Sequence, residues 1–218
     1  MNVEITNDIC VITMDDGKAN AVGHTFLDEI NAGLDRAEQE AKAVLLVGRE
    51  GLFSAGFDLK EFQKGPDATR ALARRGFELL LRLYGLPLPL VSACTGHGIA
   101  LGAFILLASD SRVGISGDFK VTLPETAISM DLPPCLMELV KQRIASAHIT
   151  RAAIQSEVYT PEGAVEAGFL DEVVAPDALL ERSMAIAEKL AALPQKFYAI
   201  NNQATRSASL AVMEANLP

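Results

Sequence analysis

Phe53-Ser54-Ala55-Gly56-Phe57-Asp58-Leu59-Lys60-Glu61-Phe62 and, about forty residues on, Gly96-His97-Gly98-Ile99-Ala100-Leu101-Gly102-Ala103-Phe104 decide how this chain is read. Each follows an apolar run that reads as a buried strand, residues 44–47 before the first and 90–94 before the second. Each leads into residues at helical spacing. A strand-to-helix crossing built from small residues leaves backbone N–H groups unpaired at a helix start, where the helix dipole favours negative charge. Two such crossings in one domain can aim two donors at one carbonyl oxygen, the arrangement that stabilises an oxyanion or enolate.

Outward from these segments, the spacing predicts strands alternating with helices. Residues 3–5 and 9–14 read as a hairpin turned at Thr6-Asn7-Asp8. Phe26, Leu27, Ile30, Leu34 and Ala37 recur at helical spacing up to Glu40, and residues 48–55 read as a loop. A second helix is expected over 67–84, closed by Gly85 with Pro87 and Pro89 beyond it. A third is expected over 99–109, and residues 113–115 and 119–122 read as short strands. After Pro133 the pattern is helical, with Thr160 as an N-cap, Pro161 at the first helical position and Gly168 as the stop. One extended piece over 170–174 interrupts it. Helices over 177–192 and 195–213 close the chain. Strands alternating with helices imply an α/β fold with a largely parallel sheet.

Composition narrows the function classes. Half of the 218 residues are hydrophobic, so a large core is expected and disorder is not. The net charge of −9, with no basic run, argues against a nucleic-acid partner. The longest apolar stretch, 99–108, is too short to span a bilayer, and residues 1–14 alternate like a strand and lack a signal-peptide pattern. Cys10, Cys94 and Cys135 are far apart and free of C-x-x-C spacing, which reads as a reduced, cytoplasmic protein with structural thiols.

The familiar motifs are absent. Leu101 stands where G-x-G-x-x-G needs its third glycine, and no G-x-x-x-x-G-K-[ST] occurs. Leu52 occupies the first glycine position of G-x-S-x-G, so Ser54 reads as a small polar loop residue. His24, His97 and His148 lack metal-ligand spacing, and no metal site is expected. His97 reads as loop packing, with ligand contact as the alternative. Glu125 follows a strand and a proline in apolar surroundings, where a carboxylate's pKa rises and it can carry a proton between carbon atoms. Taken alone it reads as a solvated or capping residue. Asp131 is a second, weaker candidate and reads as an N-cap.

In this order and spacing the segments resemble the crotonase (enoyl-CoA hydratase/isomerase) family. Residues 53–59 look like that family's first oxyanion loop, F-[SA]-A-G-x-D-[IL], and 96–110 resemble the second with its helix and closing aspartate. Asn20-Ala21 is similar to the early N-A-[LM] segment, and 160–174 to the A-x-x-x-G-[LF]-[VL]-[DS]-x-[VI]-V stretch. The resemblance implies a spiral of ββα units over residues 1–190 with a C-terminal helical segment over 191–218, assembled as a homotrimer or hexamer. It implies an acyl-CoA thioester as substrate, with no cofactor beyond the coenzyme A the substrate carries. The thioester oxygen would take the N–H groups of Phe57 and Leu101. Substrate contacts are implied at Asn20, Ala21, Ser54, Ala55, Gly56, Asp58, Leu59 and Gly98, and expected at Phe104 and Asp131.

Three departures bear on the reaction. Hydratases of the family use two glutamates; the second matches Glu125, and Phe104 stands in place of the first. One glutamate resembles the 3,2-enoyl-CoA isomerases, and weak hydration or catalytically silent acyl-CoA binding are the alternatives. The family's usual Gly-Gly pair is Ala100-Leu101 here, which crowds the loop. The C-terminal helices that cover the acyl site are also expected to be shortened.

Overall fold

A computed structural model describes every residue, Met1–Pro218. The chain enters through an antiparallel hairpin, β1 (Asn2–Thr6) and β2 (Ile9–Thr13), turned by Asn7 and Asp8 at φ 52° and 62°. Asn and Asp are the non-glycine residues that best tolerate this left-handed backbone. Helix α1 (His24–Glu40) follows and buries the stripe predicted from its spacing, Phe26, Leu27, Ile30, Leu34 and Ala37.

Three successive turns of one unit make the body of the fold. Each turn lays a strand in a large sheet, a strand in a small sheet and then a helix. The first is β3 (Ala43–Val47), β4 (Gly51–Ser54), the short α2 (Leu59–Phe62) and α3 (Pro66–Tyr84). The second is β5 (Leu90–Cys94), β6 (Gly96–Ile99) and α4 (Leu101–Ala108). The third is β7 (Ser111–Ile115), β8 (Val121–Thr122) and α5 (Pro134–Arg143). Then come α6 (Pro161–Ala167), β9 (Glu172–Val174), α7 (Leu179–Ala191) and α8 (Gln195–Ala215). The large sheet runs β1-β2-β3-β5-β7-β9 and the small one β4-β6-β8; every pairing after the hairpin is parallel.

The central strands β3 and β5 are apolar but for Ser92 because both of their faces are covered. Cys10, Ile12, Val44, Leu46, Leu90 and Cys94 point into the main core under α1, α3 and α4. Their alternates Ile9, Leu45, Val47, Val91, Ala93 and Val113 pack against Leu179, Ala187 and Ala191 of α7. Thr160 and Gly168 bracket α6 as predicted: the Thr160 hydroxyl accepts from Gly163 N, and Gly168 adopts φ 96°. The terminal helices are both present. Met213 of α8 sits in the main core, and Asp110 ties α8 down by accepting from Leu90 N, the Tyr198 hydroxyl and Arg206.

Sequence spacing misplaces two elements. Residues 48–55 contain β4, and the helix expected over 99–109 starts only at Leu101, because 96–99 is β6. Both missed strands open on glycine, which has poor strand propensity. Here glycine is needed for close approach: a Cβ on Gly96 would lie 2.0 Å from the carbonyl carbon of Gly51. Asp131 is not an N-cap either. Pro133 occupies that position for α5, and Asp131 is exposed two residues earlier.

Candidate active site

Both glycine segments end in a backbone N–H with nothing to bond to. In the first, the Ser54 hydroxyl donates to Asn20 O (2.8 Å) and accepts from Gly56 N (3.2 Å), which folds the chain out of β4. Val22 then pins the loop from outside, donating to Gly56 O (2.8 Å) and accepting from Asp58 N (3.1 Å). Those two bonds use the residues flanking Phe57, so the Phe57 N–H itself finds no acceptor in the protein. In the second segment Ala100 N donates to Thr122 O (3.0 Å) and Ala100 O accepts from Phe104 N (3.1 Å). Leu101 opens α4, and its N–H is likewise without an acceptor, as the first N–H groups of a helix are.

The two loops touch. A Cβ on Gly56, at φ 89°, would meet the Ala100 Cβ at 2.8 Å and Leu101 N at 3.4 Å, and a Cβ on Gly102 would meet Ser54 O at 2.5 Å. Glycine at 56 and 102 therefore lets the two loops pack in direct contact, with the dipole of α4 behind the Leu101 N–H. Ala100 holds φ 51° and ψ −122°, a conformation that suits glycine. Such backbone costs roughly 1–3 kcal/mol and persists only where its surroundings enforce it.

Beside these groups lies a cavity of about 490 Å3, within the size range of small-molecule sites, and mostly apolar in lining. Phe57, Phe62, Ala73 and Phe77 form one wall; the Phe57 ring packs on Phe62 and Phe77 at 5.3 and 6.2 Å between centroids. Gly76 makes room for that ring, since a Cβ there would sit 2.5 Å from it. Ile128, Met130 and Leu136 line the other side, together with Phe104, which is fully buried.

Glu125 is the buried carboxylate of this cavity, 7% exposed, with Oε2 bonded to nothing. Burial raises its pKa from 4.5 to about 7, against the smaller lowering effect of its own backbone N–H. A side chain so placed is poised between its charged and neutral forms near neutral pH, which is what a general base that must also return its proton requires.

Comparison with known proteins decides the family. Residues 4–217 match the model of the family described as enoyl-CoA hydratase/isomerase. The chain belongs to the enoyl-CoA hydratase/isomerase family. It is 27% identical to a probable enoyl-CoA hydratase of Bacillus subtilis over 88% of this chain and 76% of that protein. It is 26% identical to the mitochondrial enoyl-CoA delta isomerase 1 of Rattus norvegicus, over 92% and 71% respectively. An enoyl-CoA isomerase structure from Mycobacterium tuberculosis superposes with a TM-score of 0.93 at 34% identity, covering 98% of this chain and 94% of that one. The architecture is the crotonase fold, with its C-terminal helical region.

Within this family member, Ala21, Ala55, Phe57, Asp58, Leu59, Leu101, Phe104, Glu125 and Asp131 meet at the one cavity. Asn20, Ser54, Gly56 and Gly98 do not line it. Asn20 is fully buried and spends its side chain on backbone: Nδ2 donates to Met14 O (2.7 Å) and Phe53 O (3.1 Å), and Oδ1 accepts from Asp16 N (3.0 Å). Ser54 and Gly56 shape the first loop. Gly98 lies in β6 against Leu106. His97 packs, accepting from Lys120 N and standing edge-on to Phe119. Sequence reading passed over Phe62, Ala73, Phe77, Ile128, Met130 and Leu136. Ala73 and Phe77 carried a signal, since one helical turn separates them on the apolar side of α3.

Proposed function

We propose that this chain is a 3,2-enoyl-CoA isomerase in which Glu125 alone moves the proton. The carrying observation is a single buried, unpartnered carboxylate in an apolar cavity, with Phe104 where the family's hydratases keep another glutamate. A 3-enoyl thioester lies with its carbonyl oxygen toward the N–H groups of Phe57 and Leu101. Glu125 takes a proton from C2, and negative charge spreads from C4 to the thioester oxygen, where the two N–H groups stabilise it. The same carboxyl then returns the proton to C4, leaving the double bond between C2 and C3. The apolar walls support this route by keeping water from the dienolate.

Weak hydration is the second reading, and the Bacillus subtilis relative favours it. With one carboxylate doing both proton transfers, hydration would lose about 10²–10⁴-fold. Supplying 3-enoyl-CoA and analysing products separates the two: 2-enoyl-CoA without 3-hydroxyacyl-CoA supports isomerisation, and 3-hydroxyacyl-CoA formed as fast from 2-enoyl-CoA contradicts it. A homotrimeric or hexameric assembly belongs to the same proposal, supported by Phe197 and Ile200 standing 61% and 51% exposed on α8. A cytoplasmic setting is supported by three buried free cysteines.

A further inference from the structure

Glu125 starts a short 3-10 turn, Thr126–Ile128, closed by four backbone hydrogen bonds within residues 124–130. The Glu125 carbonyl accepts from Ile128 N (3.2 Å) and Met130 N (2.8 Å), and Ser129 leaves the turn at φ 62°. Residues Thr126, Ala127 and Ile128 are all exposed, so packing does little to fix the turn. A second segment adds ties from outside the turn. Thr122 donates to Glu157 O (2.9 Å), the Thr126 hydroxyl donates to Ala153 O (3.3 Å), and Ala127 N donates to the Ser156 hydroxyl (3.2 Å).

That second segment is irregular where it makes these contacts. Thr150–Ile154 is one turn of π-helix, closed by Gln155 N donating to Thr150 O (3.1 Å). Such widened turns recur at functional sites. Ser156 follows at φ 51°, a left-handed position where an L-residue other than Asn or Asp is uncommon. A glycine would sit there without strain, yet only a side chain with an acceptor can reach Ala127. The backbone cost is set against one hydrogen bond, and that bond is on the residue second after Glu125.

We propose that Ser156 is a positioning residue, holding the turn that aims Glu125 into the cavity from the far side of the wall. The proposal rests on the reading of Glu125 as the base. Ser156 lines no part of the cavity and acts through Ala127 alone. Misplacing a catalytic group by as little as an ångström can cost on the order of a hundredfold, so losing one of the three ties is expected to cost about tenfold in turnover.

The test compares Ser156→Gly, Ser156→Asn and Glu125→Gln in the full chain, assayed with 3-enoyl-CoA. Ser156→Gly removes the hydroxyl while suiting the backbone; Ser156→Asn tolerates φ above zero and restores an acceptor. Expected are a kcat about tenfold lower in Ser156→Gly with KM within twofold, and recovery of most of that loss in Ser156→Asn. Amide exchange at Ala127 should quicken in Ser156→Gly and slow again in Ser156→Asn, whatever the activity. Wild-type kcat in Ser156→Gly, or a loss that follows a falling Tm with KM rising in step, overturns positioning while leaving the base intact. Wild-type turnover in Glu125→Gln overturns both readings, with the Ala127 exchange then reporting only the bond.

Discussion

Asn20 and Glu125 are both buried polar side chains beside the same pair of glycine loops, and they are treated in opposite ways. Asn20 makes three hydrogen bonds to backbone and thereby joins the end of β2, the end of β4 and the loop between them. Glu125 has an oxygen buried with no partner and pays the desolvation cost in a raised pKa. Buried polar groups are nearly always satisfied, so the exception calls for an explanation. The contrast teaches where the molecule spends its polar groups: the satisfied one braces the first glycine loop, and the unsatisfied one is left free in the cavity.

The largest effect that would sharpen this contrast is on activity. Glu125→Gln should lower isomerase turnover by about 10²–10⁴-fold in a steady-state assay, with the fold intact. Its stability should also lose a pH slope the wild type has. Because folding raises the Glu125 pKa to about 7, the unfolded chain gives up this proton first as pH climbs from 4.5, and wild-type stability falls across that window. Urea unfolding at pH 5 and pH 8 should therefore favour Glu125→Gln at the higher pH; equal differences at both would break the contrast.

Asn20→Ala should act chiefly on stability, destabilising the chain by about 3 kcal/mol since three backbone partners lose their bonds, and should lower turnover far less than Glu125→Gln does. A normal urea midpoint in this variant would show that Asn20 is not the brace. The smallest effect is expected at Ala100. Ala100→Gly relieves the φ 51° strain and should raise stability by about 1 kcal/mol in the same measurement.

How much of this was legible in the sequence follows from how local each feature is. The strands β3 and β5 announce themselves because both faces are covered and every residue but Ser92 is apolar, and α6 because Thr160, Pro161 and Gly168 mark its two ends. Strands β4 and β6 were hidden, since their glycines answer to a contact between segments 45 residues apart, Gly51 and Gly96. At the candidate site, the two glycine loops, Glu125 and Phe104 could be placed because they lie in contiguous motifs. Asn20 as a brace, the missing partner of Glu125 and the Ser156 tie to Ala127 depend on which distant atoms do or do not arrive, and no spacing encodes that.

The central claim is that one buried carboxylate, without a second acid, performs the proton transfer. The pH dependence of kcat/KM for 3-enoyl-CoA tests it most directly. A single ionisation near 7, with activity rising as Glu125 loses its proton and holding level above it, is the predicted result. A bell-shaped profile with a second essential group on the alkaline side, or a profile flat through pH 7, would contradict it.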